Sequence, residues 1–159
     1  MTAAAPSEAL LFWRYIASSL DRLVALLDGL SPADLDWRPP APGANSLRAL
    51  ATHTLGNAEE NLLETLGGQV IGRDRAAEFA VQGGSAEAIT ARWHVLRSQL
   101  AECLAALPAE TLDASRLHPR RGTTTGRDIL IVVARHSAEH LGQAELTRDL
   151  LLAERRRGG

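Results

Sequence analysis

Apolar residues recur every three or four positions along four stretches of the chain, and no stretch shows a convincing alternation of period two. The first runs from about Ser7 to Leu30, where Trp13, Ile16, Leu20, Leu23, Leu27 and Leu30 fall on one helical stripe. Ser31-Pro32 and then Arg38-Pro39-Pro40-Ala41-Pro42-Gly43 end it. The second opens on Asn45 or Ser46, either a good N-cap, and reaches about Leu66 ahead of Gly67-Gly68. Leu47, Ala51, Ala58 and Leu62 mark its buried side. The third runs from Ser85 to Leu107, with the cleanest stripe: Ile89, Trp93, Leu96, Leu100, Cys103 and Leu107. The fourth begins near Thr125, where Thr125-Gly-Arg-Asp128 has capping-box spacing, and continues to about Ala153. Arg155, Arg156 and Arg157 follow at the end where the helix dipole favours positive charge.

The predicted helices cover about 7–30, 46–66, 85–107 and 125–153. Each carries one apolar stripe, and four such stripes are buried most economically against each other. The chain therefore reads as one all-α domain, a four-helix bundle over residues 1–159. The charged, Gly-rich stretch from Gly67 to Gly84 reads as a connection, longer than a tight antiparallel hairpin needs. Extended at ~3.3 Å per residue, it is long enough to run ~30 Å back along the bundle. The second and third helices are thus free to run parallel, in an up-down-down-up order.

Composition narrows the functional classes. With 45% hydrophobic and 23% charged residues, the 159-residue chain is globular and not disordered. A net charge of −2 gives no general attraction to nucleic acid or to an anionic membrane surface. All 17 basic residues are Arg, which reads first as a coding bias, although it also favours planar recognition of carboxylate or phosphate. Cys103, alone in the chain, has no disulfide partner. Glu8, Arg14 and Asp21 interrupt the first apolar run, which therefore does not read as a signal peptide. No window reads as a membrane span, and the expected location is the cytoplasm.

The fourth helix holds the chemistry. At ~100° per residue, His136, His140 and Gln143 fall within about 60° of one another. They are expected at the centre of the core-facing stripe, where Leu or Ile would ordinarily sit. Two imidazoles one turn apart can point at a common atom, the geometry a metal ion asks of an i, i+4 pair. Burying such groups costs several kcal/mol unless each finds a partner, and a divalent ion is one. Hydrogen bonding among the His and Gln or to trapped water is the alternative. His53, at the edge of the second helix's apolar arc, is the candidate third ligand; the same position also suits a half-exposed surface His. Asn57 and Glu60 follow it as a polar strip that offers supporting contacts, although Glu60 reads better as part of a solvated face.

Longer runs carry a family likeness. His136-Ser-Ala-Glu-His140-Leu-Gly-Gln143 resembles the closing His-x-x-x-His-x-Gly-Gln motif of the DinB/YfiT-like metalloenzymes. Leu47-Arg-Ala-Leu-Ala-Thr-His53 is similar to that family's second-helix segment, and Leu30-Ser-Pro-Ala-Asp-Leu-Asp-Trp37-Arg-Pro39 to its first connection. The resemblance implies an up-down-down-up bundle, usually dimeric, with a divalent ion on His53, His136 and His140. Related members include S-transferases and isomerases that use low-molecular-weight thiols.

The expectation is a metal-dependent transferase or hydrolase acting on a small molecule, possible partners being a thiol cosubstrate and a second copy of the chain, with no nucleic acid or membrane. Zn, Ni, Fe and Mn all suit three imidazoles. The competing reading is a non-catalytic metal- or ligand-binding protein. Gln143 is expected to orient a ligand from beside the ion without binding it. Cys103, Trp13 and Trp93 read as core, and Trp37 as a cap on one end of the bundle. His94 and His118 read as solvated; the basic loop of Arg120 and Arg121 with Arg127 reads as solvated first, with binding of a carboxylate-bearing substrate as the alternative.

Overall fold

A computed structural model describes residues 7–158. The main helices are α1 (Glu8–Ala25), α3 (Leu47–Ala58), α5 (Ala86–Ala105) and α6 (Gly126–Gly158). Between them lie two short helices, α2 (Pro32–Asp36) and α4 (Arg75–Ala80), and an antiparallel hairpin of β1 (Ser115–His118) and β2 (Gly122–Thr125). A π-helical segment, Glu59–Leu66, extends α3, and a 3₁₀ turn, Ala109–Leu112, precedes the hairpin.

Several boundaries differ from expectation for local reasons. α1 stops at Ala25 and not at Leu30, and Gly29 takes φ +73° in the turn that follows. Ser31-Pro32 does more than end a helix. Ser31 and Asp34 close a capping box with Pro32 in the first turn, so the same residues start α2. The connection after Gly67 contains α4, capped by Asp74, whose carboxylate accepts from the Ala77 amide at 3.0 Å. The hairpin was not expected, because its second strand, Gly122–Thr125, carries no apolar alternation. The capping box at Thr125 and Asp128 is formed as expected.

Ion pairs and contacts set the helix directions. Arg127 pairs with Glu8, and Arg22 with Glu145, so α1 and α6 run parallel. Glu59 pairs with Arg92, and farther along Leu62 lies beside Cys103, so the α3–π rod and α5 are also parallel. His118, which feeds α6, contacts Asn61, whereas His136 within α6 contacts His53; α3 and α6 are antiparallel. The order is up-down-down-up, and the 18-residue connection does return along the bundle.

Leu20, Leu23, Leu27, Leu50, Leu55, Leu62, Leu100, Leu104 and Val133 fill the centre. Trp13 and Trp93 pack with ring centroids 6.4 Å apart, and the Trp93 indole donates to Asp21 at 2.8 Å. Trp37 lies partly buried against the core just after α2. Cys103 is half-buried at the edge of the α5 stripe; Leu104 takes the central place. No helix among the described residues is long and apolar enough to cross a membrane.

On α6 the buried stripe is Ile129, Leu130, Val133, Ser137, Leu141, Ala144, Thr147 and Leu151. Its centre lies about 75° round the helix from His136. His136 and His140 therefore sit half-buried at its edge, and Gln143 is exposed, contrary to the central placement expected of all three. Apolar residues on every side of this helix, with Ile131, Leu146 and Leu150 exposed, blur the direction of its stripe.

Candidate metal centre

His53 projects from α3 and is only 4% exposed. Across from it, α6 presents His136 and His140 with ring centroids 4.4 Å apart and nearly perpendicular. The His53 ring lies 5.0 Å from each. One ring nitrogen from each of the three lies within 4.8 Å of the others, a group that can hold a metal ion. His53 Nε2 and His136 Nε2 are 3.1 Å apart. A tetrahedral ion with bonds of about 2.0–2.1 Å to nitrogen spaces its donors roughly 3.3 Å apart, so this pair already has nearly the required separation.

Donor chemistry fits as well. Burial, reinforced by the neighbouring His140 and His53, pushes His136 down to about 3, and burial also lowers His140. At neutral pH both rings are uncharged and offer lone pairs. His136 Nδ1 is buried and has no hydrogen-bond partner among the described residues.

The backs of the other two rings are held. His53 Nδ1 lies between Glu78 Oε2 at 3.0 Å and Arg73 Nη2 at 3.1 Å, and Nε2 faces the cluster. Arg73 grips the same carboxylate through Nε at 2.6 Å and Nη2 at 2.7 Å. Burial raises the Glu78 carboxyl, but hydrogen bonds from Arg73 and His53 outweigh it, and the net shift is downward. On α6, Gln143 Oε1 lies 2.9 Å from His140 Nδ1. That contact accepts the ring proton and leaves His140 Nε2 free.

Glu78 and Phe79 come from α4, so the presumed loop builds one wall of the site. Phe79 lies against His53, centroids 4.5 Å apart, and Arg75 covers the outer face of Phe79 at 5.0 Å. Gly56 makes room for this wall: a Cβ there would meet Glu78 Oε1 at 2.0 Å.

Behind the wall the polar strip is buried, not solvated. Glu60, 3% exposed, accepts from Arg73 Nη1 at 3.2 Å and from Arg120 Nη1 at 2.7 Å. His118, also expected in solvent, is buried and donates from Nε2 to Asn61 Oδ1 at 3.1 Å, while its Nδ1 accepts from the Arg120 amide at 3.0 Å. These bonds fasten the hairpin to the π segment, whose extra residue per turn aims Glu60 and Asn61 inward. His94 is exposed, as expected. Arg73, Glu78, Phe79 and Gly56 were not anticipated in the site; Asp74 as a cap with Glu78 four residues on was the available signal.

A sequence profile of the DinB superfamily matches residues 15–144, and the chain belongs to that superfamily. The fold is similar to the crystal structure of a conserved protein from Enterococcus faecalis, with TM-score 0.74 and 15% identity, covering 94% of this chain and 99% of the other. It is also similar to the colibactin self-resistance protein ClbS, solved in complex with a dsDNA, with TM-score 0.62 and 16% identity over 92% of this chain and 98% of the other. A search of curated proteins finds no significant match.

Proposed function

We propose that His53, His136 and His140 hold one divalent ion and that the chain is a metal-dependent enzyme acting on a small molecule, by thiol transfer or by hydrolysis. The observation that carries this reading is the convergence of three ring nitrogens within 4.8 Å, with His53 and His140 each held at Nδ1 by neighbouring side chains. Three protein ligands are the pattern of a catalytic centre, because a closed structural site uses four. When bound, such an ion polarises an oxygen or sulfur at its open position and lowers that group's pKa toward neutrality.

The protein's own residues prepare the site. Glu78 and Arg73 hold the His53 ring in place, Gln143 holds that of His140, and Phe79 screens one side from water. Cys103 is a poor nucleophile for this site. It packs beside Leu62, about 14 Å along the rod from His53, and burial raises its thiol. The sulfur is therefore assigned to a low-molecular-weight thiol cosubstrate. The dsDNA of the ClbS complex belongs to that protein; here the net charge of −2 favours a small molecule over nucleic acid. Exposed Leu146 and Leu150, one turn apart on α6, support a homodimer.

The reading is tested by stripping the protein, reloading it with zinc, and assaying small thiols against an aromatic halide electrophile and, separately, an activated ester. Metal-dependent turnover that disappears in His140→Ala is expected. No turnover in either assay, with one zinc retained per chain, would favour a non-catalytic metal-binding protein.

A further inference from the structure

An unbroken chain of charged contacts runs from the hairpin tip to His53. Arg73 stands between two carboxylates and treats them unequally. Glu78 receives two short bonds, from Nε at 2.6 Å and Nη2 at 2.7 Å, whereas Glu60 receives one, from Nη1 at 3.2 Å. The same Nη2 lies 3.1 Å from His53 Nδ1 and donates to the His53 carbonyl at 3.3 Å. Glu60 has a second cation in Arg120, exposed on the turn between β1 and β2. Arg120 sets both terminal nitrogens on that carboxylate, Nη1 at 2.7 Å from Oε1 and Nη2 against Oε2. Arg120, Glu60, Arg73 and Glu78 thus alternate in sign and end on His53.

The unequal sharing has an electrostatic cause. The side chains of Glu60, Arg73 and Glu78 are nearly withdrawn from water, where an unmet charge costs far more than at the surface. A guanidinium fork meets a carboxylate better than a single donor does. Because the Arg120 fork meets Glu60, Arg73 is free to turn its own fork to Glu78. Without Arg120, the Glu60 carboxylate has only Arg73, which is then drawn away from Glu78 and His53. The hairpin itself has other fastenings: Arg116 donates to the Thr65 carbonyl at 2.9 Å and to that of Thr111 at 3.2 Å. Among the described residues, Arg120 makes no hydrogen bond to any of the three imidazoles.

We propose that Arg120 and Glu60 are positioning residues of the three-His group. By meeting Glu60, the Arg120 fork keeps Arg73 and Glu78 on His53 and so tightens metal binding from a place that touches no imidazole. The inference rests on the metal-centre reading above and deepens it, tying the hairpin to the ion's affinity.

The test compares the full chain with Arg120→Gln, Arg120→Gln/Glu60→Gln and Arg116→Gln, each checked for native helicity. Zinc affinity is read by chelator competition, and the imidazole ring-nitrogen resonances are read by NMR in zinc-free protein. Arg120→Gln strands Glu60 and should lose about fivefold or more in zinc affinity. Its His53 resonances should move while those of His140, held by Gln143, stay in place. Removing the stranded carboxylate as well, in the double variant, should restore both readings. Arg116→Gln loosens the hairpin without touching the chain and should keep zinc affinity within about twofold of the parent. If Arg120→Gln does not fold, Arg120→Lys, which keeps the charge but loses the fork, is read in its place and should move His53 in the same way. Unmoved His53 resonances in the Arg120 variants, no recovery in the double variant, or an equal loss in Arg116→Gln would overturn the proposal. One zinc per chain, bound equally well by every variant, would reject it and leave the metal reading intact. No zinc in the parent, with the His53 resonances still moved and then restored, would uphold the hold on His53 and reject the metal reading.

Discussion

His53 and Glu78 lie 25 residues apart in the chain, and their side chains meet at 3.0 Å, both buried. The contact joins a predicted bundle helix to a six-residue helix inside what looked like a linker. It also settles which nitrogen of His53 faces the other two imidazoles. A ligand held this way loses little conformational freedom when an ion binds.

Glu78→Gln keeps the shape of that contact but removes its charge. Metal affinity is expected to fall 10- to 100-fold, about 1.4–2.7 kcal/mol, as measured by chelator competition. Arg73 would retain Glu60 as its charged partner, so the variant should still fold, at reduced melting temperature. Unchanged affinity would mean that Glu78 does not orient His53.

Gly56 and Gly142 make a matched pair on α3 and α6. Gly56→Ala drives a methyl into the Glu78 carboxylate and should cost about 1–3 kcal/mol in denaturant unfolding, with weaker metal binding. Gly142 has open space around its Cβ position, and Gly142→Ala should be neutral or stabilising by about 0.5–1 kcal/mol. Equal effects at the two positions would contradict the packing described for α4.

His118 makes stability depend on pH. Burial, with the charge of Arg121, lowers its pKa in the folded state below the unfolded value of about 6.5. The unfolded chain therefore binds the proton more readily, and stability rises with pH across this window. The contribution is fully present above about pH 6.5 and is lost as pH falls through the lowered folded value. Urea unfolding of metal-stripped protein between pH 7.5 and 5 should show a shallower slope in His118→Gln than in the parent. Parallel curves would remove His118 from the acid response.

Gln143 is exposed, and its observed role is to accept from His140. Gln143→Leu should leave the unfolding free energy of metal-free protein within about 0.5 kcal/mol of the parent, as surface changes usually do. It should weaken the metal at least severalfold. Normal metal affinity with lost turnover would instead restore the ligand-orienting role expected from sequence.

What could be read ahead of the structure depended on length of pattern. The four long helices follow from repeated apolar spacing; one long connection permits their parallel middle pair, and the family resemblance implies it. The three imidazoles were legible because two sit one turn apart and the third falls in a run similar to the family's second helix. Glu78, Arg73 and Phe79 were not, since α4 has fewer than two turns and shows no period. Glu60 and His118 were misread as solvated because their burial depends on partners from distant segments, and on a π turn that periodicity of 3.6 does not describe. The α6 stripe was turned toward His136 by apolar residues that the fold leaves exposed.

The central claim is that His53, His136 and His140 hold one ion together. Elemental analysis of protein purified in parallel with His53→Ala, His136→Ala and His140→Ala variants, each checked for native helicity, tests it directly. The account predicts close to one divalent ion per chain in the parent and little or none in each folded variant. Full occupancy persisting in the three variants, or no metal in the parent even after reconstitution with zinc, would contradict it.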